Sequence, residues 1–179
     1  MNNEKLEKLK EPLSISEIDF RIQSINKGGY ATILAYKDAR ADMNRLDKVC
    51  GIFGWKRHHT RDNQNCIVSL WDNEKKEWVS KEDTGSESFT EKEKGLASDS
   101  FKRACFNWGI GRELYDYPVI SIKLNKSEYK VENNRVKQTF ELKLKEWIWF
   151  SQFTEGKLTY LACKDNLGKK RFEYGTYKK

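Results

Sequence analysis

The sequence predicts an α+β fold in which an antiparallel β-sheet, a meander, packs against a long α-helix, with a second, shorter helix before it and additional β-hairpins after. Three observations predict this. Between residues 55 and 84, three strand-like segments are separated by short polar turns. From Lys92 to Trp108, apolar residues return every three to four positions, as on one face of an α-helix. Beyond residue 119, strand-like runs flank the turn sequences Asn133-Asn134 and Asp165-Asn-Leu-Gly168.

Element by element, Glu4 to Lys10 can form one or two amphipathic turns before Pro12 stops them, and is expected to be a frayed or docking arm. Ile18 to Ile25 alternates with period two and meets Gly28-Gly29, so a strand, a reversal and a return strand over Tyr30–Ala35 follow. From Tyr36 the period lengthens: Ala35, Ala39, Met43, Leu46 and Cys50 form a helical stripe closed by Gly51, leaving Lys37, Arg40, Asp42, Arg45 and Lys48 on the other face. The meander strands are placed at Trp55–Arg61, Cys66–Trp71 and Trp78–Thr84. Thr90 and Glu93 match a capping box, and the long helix then buries Ala97, Phe101, Ala104, Cys105 and Trp108 before Gly109. Two hairpins close the chain, Tyr129–Glu132 with Val136–Leu142 and Leu158–Lys164 with Lys170–Tyr174. Residues 1–17 are thus read as an arm, 18–118 as the core, and 119–179 as a basic, β-rich extension packing on it.

The 179 residues, 37% hydrophobic and 13% aromatic, suffice for a packed core. Cys50, Cys66, Cys105 and Cys163 stand singly, the usage of a reduced, cytosolic chain, and neither a membrane span nor a signal core is visible. Net charge is +7, and all of the excess lies in residues 120–179, which carry 14 basic and 7 acidic side chains. Basic excess favours polyanionic partners through neutralised phosphates and released counterions.

On the long helix, Lys94, Ser98 and Lys102 share one side at four-residue spacing, and Lys102-Arg103 are adjacent cations that could hold phosphates. A solvated helix face is the plainer reading of the same residues. The aromatic residues could stack unpaired bases, but Phe101 and Trp108 fall on the apolar stripe, and Trp147, Trp149 and Phe150 are assigned to packing or a subunit contact.

The run Gly95-Leu-Ala-Ser-Asp-Ser-Phe-Lys-Arg-Ala-Cys-Phe-Asn-Trp-Gly-Ile-Gly-Arg-Glu-Leu-Tyr-Asp116 closely resembles the signature of the Rad52/Rad22 family of strand-annealing proteins, in its short phage and bacterial branch. Gly29-Tyr-Ala-Thr-Ile-Leu-Ala-Tyr36 and Ala39-Arg-Ala-Asp-Met-Asn-Arg-Leu-Asp-Lys-Val-Cys-Gly51 support it in matching order. The resemblance implies ATP-independent binding of single-stranded DNA and annealing of complementary strands in recombination and repair. It also implies a ring or helical homo-oligomer whose outer groove grips the DNA backbone and displays the bases. Carried onto this chain, Lys102 and Arg103 contact the backbone, Arg40 lines the same groove, and Ser98 and Asp99 serve structural or groove-lining roles. The partners implied are single-stranded DNA and further copies of the chain, with a phage exonuclease or the host single-strand-binding protein as further candidates, in the cytoplasm of a bacterial host. One departure is the short, largely acidic stretch Gly85 to Lys94, where eukaryotic members carry basic residues for a second DNA site.

Other chemistries fit less well. Cys50, His58, His59 and Cys66 are suitable zinc ligands without the spacing of a zinc site, and His58-His59 are expected on a strand with one ring in and one out. Lys27-Gly28-Gly29 lacks the remainder of a phosphate loop, and Gly109-Ile-Gly111 lacks the small residue of a dinucleotide motif, so no ATP or nicotinamide cofactor is expected. A module that coats single strands without annealing them, and a metal-dependent nuclease using Asp99, Glu113 and Asp116, are the alternative functions.

Overall fold

A computed structural model describes residues 3–86 and 92–178. α1 (Asn3–Lys10) is followed by a hairpin of β1 (Asp19–Ile25) and β2 (Tyr30–Tyr36), then α2 (Ala39–Cys50). The meander is β3 (Trp55–Thr60), β4 (Asn65–Asp72) and β5 (Glu77–Thr84), and α3 (Lys92–Asn107) follows it. The remainder is β6 (Ile120–Lys123), β7 (Tyr129–Glu132), β8 (Arg135–Gln138), β9 (Ile148–Thr154), β10 (Lys157–Lys164) and β11 (Lys170–Gly175). The fold is α+β, with every strand pair antiparallel: β1-β2-β6, β3-β4-β5, β7-β8 and β9-β10-β11. Among the described residues no helix is long and apolar enough to cross a membrane.

The chain divides into two compact units, Met1–Leu13 with Lys37–Arg112, and Ser14–Tyr36 with Glu113–Lys179. In the first, α3 lies on β4 and β5 of the meander. Phe101, Ala104 and Cys105 of the helix, with Trp108 just past its end, meet Cys66, Val68 and Leu70 of β4 in a buried core. Trp108 seals its buried ring nitrogen by donating from Nε1 to Val68 O at 3.1 Å. Of the expected stripe only Ala97 is half-exposed. Gly85, at the end of the meander, lets the chain pass against the helix: a Cβ there would lie 2.5 Å from Ser100 N and 2.9 Å from Leu96 O. The Thr90–Glu93 capping box lies outside the described residues.

α2 corrects one expectation. Tyr36 completes β2, and the helix starts at Ala39 because the Asp38 side chain accepts from the backbone of Arg40 and Ala41, an N-cap. Its buried face carries Asp42 and Arg45 as well as Ala41 and Leu46, and Lys37, just ahead of it, is also buried. These three were expected on the solvent face. Arg45 goes inward because it satisfies the carbonyls left over at the end of α1, donating from Nη1 to Lys8 O at 3.1 Å and Glu11 O at 2.7 Å. α1 is thereby docked, with Leu9 and Leu13 buried.

The second unit has its own core of Ala31, Ile33, Ile120, Ile122, Leu124, Leu142, Trp147, Leu161 and Cys163. Asn133 and Asn134 both adopt positive φ (48° and 64°) in the two-residue turn between β7 and β8, the backbone such hairpins require. β8 stops at Gln138, short of the expected Leu142, because the chain turns after Thr139, with Leu142 N–H donating to Thr139 O at 3.3 Å. The side chain of Arg171 on β11 is buried and donates through both terminal nitrogens to the two oxygens of Glu128, at 2.9 and 2.8 Å, with Asp165 accepting a further bond at 3.2 Å. Trp147 lies under its guanidinium, 4.4 Å from the ring centroid. Trp149 stacks on Phe20 with centroids 3.7 Å apart.

Candidate nucleic-acid interface

The site begins with α3, whose buried stripe leaves one side for solvent. Lys102 and Arg103 leave the helix about 100° apart, as successive residues must at 3.6 per turn, and run to different flanks. Lys102 Nζ lies 4.0 Å from Asp99 Oδ1, and its charge is felt by Asp42 on α2. Arg103 leans to β5, where Nε donates to Asp83 Oδ1 at 3.3 Å. Both remain in contact with solvent, their side chains 24% and 43% exposed.

The meander adds cations beside the helix. Arg57, Val68 and Lys81 are side by side across β3, β4 and β5, in a row whose middle member is buried with the helix core. The Arg57 guanidinium sits 4.8 Å from the centroid of Phe101, and Lys81 Nζ sits 4.6 Å from that of Trp108 while donating to Asn107 O at 2.7 Å. Burial together with the charges of Arg112 and Lys10 lowers the Lys81 pKa, which places several cations around the C-terminal end of α3. Arg112 donates to Phe106 O and Asn107 O, closing carbonyls the helix cannot satisfy itself.

The remaining expected site residues divide by role. Asp99 accepts from both the backbone N–H (2.9 Å) and the hydroxyl (3.2 Å) of Ser86, so it ties the end of the meander to α3. Ser98 is half-buried on the helix, and the side chain of Lys94 lies outside the described residues. Ser100 is buried and donates to Asn63 O at 2.9 Å. Arg40 extends into solvent, 81% exposed, with Nε and Nη2 2.8 and 2.6 Å from Asp38 Oδ2, a contact that holds the Asp38 carboxyl below its usual range. Arg57 and Lys81 escape a reading of the sequence because only the strand register shows that they share a row with Val68.

Behind this surface lies a buried charge cluster. Lys37 Nζ donates to Asp42 Oδ1 and to Ile110 O, the latter at 2.6 Å, and rests 4.0 Å from the Phe106 ring centroid. Gly111, with φ of 71°, closes over it: a Cβ there would lie 2.8 Å from Lys37 Cδ. Ile110 and Gly111 of the Gly109-Ile-Gly111 pattern thus close over Lys37, while Gly109 makes room for Lys10, whose Cγ would lie 2.7 Å from a Cβ there. Burial pushes the Asp42 carboxyl up to about 6 against the pull of Lys37.

All four cysteines are free, and burial raises the Cys66 thiol to about 11. His58 is exposed and His59 half-buried on β3, as expected. Among the described residues no group of three or more His, Cys, Asp or Glu side chains is arranged to hold a metal ion. In sequence, residues 2–134 match the Rad52/22 family double-strand break repair protein, a span from α1 to the turn after β7. Among curated proteins, none matches the chain.

Proposed function

From the premise that the chain belongs to the Rad52/22 family of double-strand break repair proteins, we propose that it binds single-stranded DNA along α3 and anneals complementary strands as a homo-oligomer, without a nucleotide cofactor and without covalent chemistry. The observation that carries this reading is the weak tethering of Lys102 and Arg103. One is 4.0 Å from its carboxylate and the other is held through Nε alone among the described residues. Partly exposed ion pairs of this kind contribute only ~0–1 kcal/mol, so exchanging a carboxylate for a phosphate costs little. The rigid support beneath them, Phe101 and Trp108 locked into the meander, keeps the cations in place while the DNA changes.

Gripping phosphates is independent of sequence and leaves base edges free to test a second strand. Base pairing then supplies the driving free energy, and the protein's part is to concentrate and extend the strands. Arg57 and Lys81 extend the positive surface to either side of α3, and Arg40 adds a solvent-exposed cation on α2.

The test is annealing of complementary oligonucleotides by the purified full chain in chelator, without nucleotide, alongside mass measurement of the assembly. Accelerated pairing by an oligomer is the expected result. Inhibited pairing at saturating protein would make the chain a coating module, and cleavage of the strands that chelator abolishes would make it a nuclease; either outcome overturns the proposal.

A further inference from the structure

The outer face of the sheet β9-β10-β11 lies beyond the family-matched residues. Alternation puts Trp149 and Phe153 on one side of β9 and Ile148, Phe150 and Gln152 on the other, and the register sets these last three opposite Lys164, Ala162 and Tyr160. Of the aromatic residues expected to pack or form a subunit contact, Trp149 stacks on Phe20, whereas Phe150 lies on the opposite face. Phe150 is 47% and Ile148 70% exposed, though nothing in their sequence demands it.

The end of the chain is built onto this face. Gly175 crosses so close to β10 that a Cβ would lie 2.0 Å from Thr159 O. Lys178 N–H then donates to Gln152 Oε1 at 3.0 Å while Gln152 Nε2 donates to Lys178 O at 2.6 Å. This two-bond clasp sets Tyr177, itself 48% exposed, against Phe150 and Tyr160, with centroids 5.5 and 5.6 Å away. The three rings meet at 58° to 68° without stacking on one another, and the exposure of Phe150 and Tyr177 leaves ring surface open to solvent. They line a depression of about 440 Å³ whose rim carries Lys164 and Lys170. Glu173, a carboxylate on this face, is engaged by the Tyr160 hydroxyl at 2.9 Å and by Lys170.

We propose that this face is a second single-stranded DNA contact, in which Phe150, Tyr160 and Tyr177 receive unstacked bases and Lys164 and Lys170 meet the flanking phosphates. Open aromatic faces rimmed by lysines suit a ligand with both apolar rings and negative charge, and the net basic residues 120–179 favour the same polyanion. Because the rings are steeply inclined to one another, they accept one or two splayed bases and no continuous stack. A duplex, with its base faces covered, is excluded. The proposal rests on the reading that this protein handles single strands, and it adds base contacts to the phosphate contacts of α3.

The test uses the full chain and three probes: oligothymidylate, an abasic strand of equal length, and a blunt duplex. For Phe150→Ala with Tyr177→Ala, affinity for oligothymidylate should fall roughly ten-fold, the scale of a single base–aromatic stack, while affinity for the abasic strand stays unchanged. Lys102→Ala with Arg103→Ala should weaken both. If the aromatic variant binds all three probes like wild type, or loses self-association at unchanged DNA affinity, the face is no base platform, and in the second case it is a contact between copies. Wild type that binds neither single strand would instead defeat the function proposed for α3. Should the variant fail to fold, wild type irradiated with 5-iodouracil-substituted strand supplies the answer: adducts at Tyr160 or Tyr177 are expected, and adducts confined to other regions overturn the proposal.

Discussion

Lys37 and Asp42 form an ion pair from which solvent is excluded, linking the start of α2 to the carbonyl of Ile110 beyond α3. Desolvating two charges is costly, and their attraction offsets that cost only while both are present. Removing the carboxylate with Asp42→Ala leaves a buried ammonium with one carbonyl partner, and should destabilise the protein by about 3–5 kcal/mol. Lys37→Met combined with Asp42→Leu should cost much less than the single change. Urea unfolding of the three proteins checks this, and equal losses in both variants would deny that the pair is coupled.

The same carboxyl predicts a pH dependence. Its folded pKa, about 6, is above the ordinary carboxylate value of 3.8, chiefly through burial, so protonation favours the folded state. Its contribution to stability is full below about pH 4 and is lost as pH rises through 6. The stability of wild type relative to Asp42→Asn should therefore decline between pH 4 and pH 6.5, measured by urea midpoints at each pH. A rising difference would reverse the sign and reject the assignment.

Gly85 has no room for a methyl group, since the atoms in the way are backbone atoms of α3. Gly85→Ala should push the end of β5 from the helix and cost about 1–3 kcal/mol, the usual range for overpacking. It should also strain the Ser86–Asp99 bonds. Gly156→Ala makes a useful comparison: unlike Gly85 it has a positive φ, 75°, and nothing lies within 4 Å of its Cβ position, so any loss of stability there reports backbone strain alone, where the loss at Gly85 reports crowding.

Much of this architecture is legible from periodicity. The apolar spacing from Phe101 to Trp108 marks α3, and Asn133-Asn134 marks its hairpin, because both signals are local. Lys37, Asp42 and Arg45 read as solvent-facing because charge argues for exposure, and only partners distant in sequence, Ile110 and the carbonyls of Lys8 and Glu11, explain their burial. β6 and β9 do not stand out as strands for a related reason. β6 is short and acquires its identity by pairing with β2, and the aromatic crowd at Trp147 to Phe150 conceals a plain alternation. Of the candidate site, Lys102 and Arg103 are legible and their divergence is not. Arg57 and Lys81 need the register.

The pairing of Arg171 with Glu128 supports the second unit in the same way that Lys37 and Asp42 support the first. Burial pushes the Glu128 carboxyl up, but the bonds from Arg171 and Asn125 N–H outweigh it and leave its pKa lowered. A depressed carboxylate stabilises the fold above its unfolded pKa, and that stability is lost as pH falls through the folded one. Glu128→Gln should consequently flatten the acid limb of the unfolding profile below pH 4.5 and lower stability at pH 7. An acid limb identical to wild type would show that Glu128 makes no net contribution.

Lys102 and Arg103 leave α3 on different flanks, so their contributions to DNA binding should be nearly independent. Removing one cation from its phosphate should lower the slope of log affinity against log salt by roughly 0.7 for a single strand. Lys102→Ala and Arg103→Ala are each expected to take about that much, and the double variant about twice as much, with folding and oligomeric mass retained because neither side chain is buried. Arg40→Ala, on α2, should have a smaller effect, since its guanidinium is already engaged by Asp38 through two nitrogens. Fluorescence anisotropy over a salt series measures wild type and all four variants. A wild-type slope in the folded double variant would remove α3 from the DNA path, and a full-sized reduction in Arg40→Ala would shift the principal contact to α2.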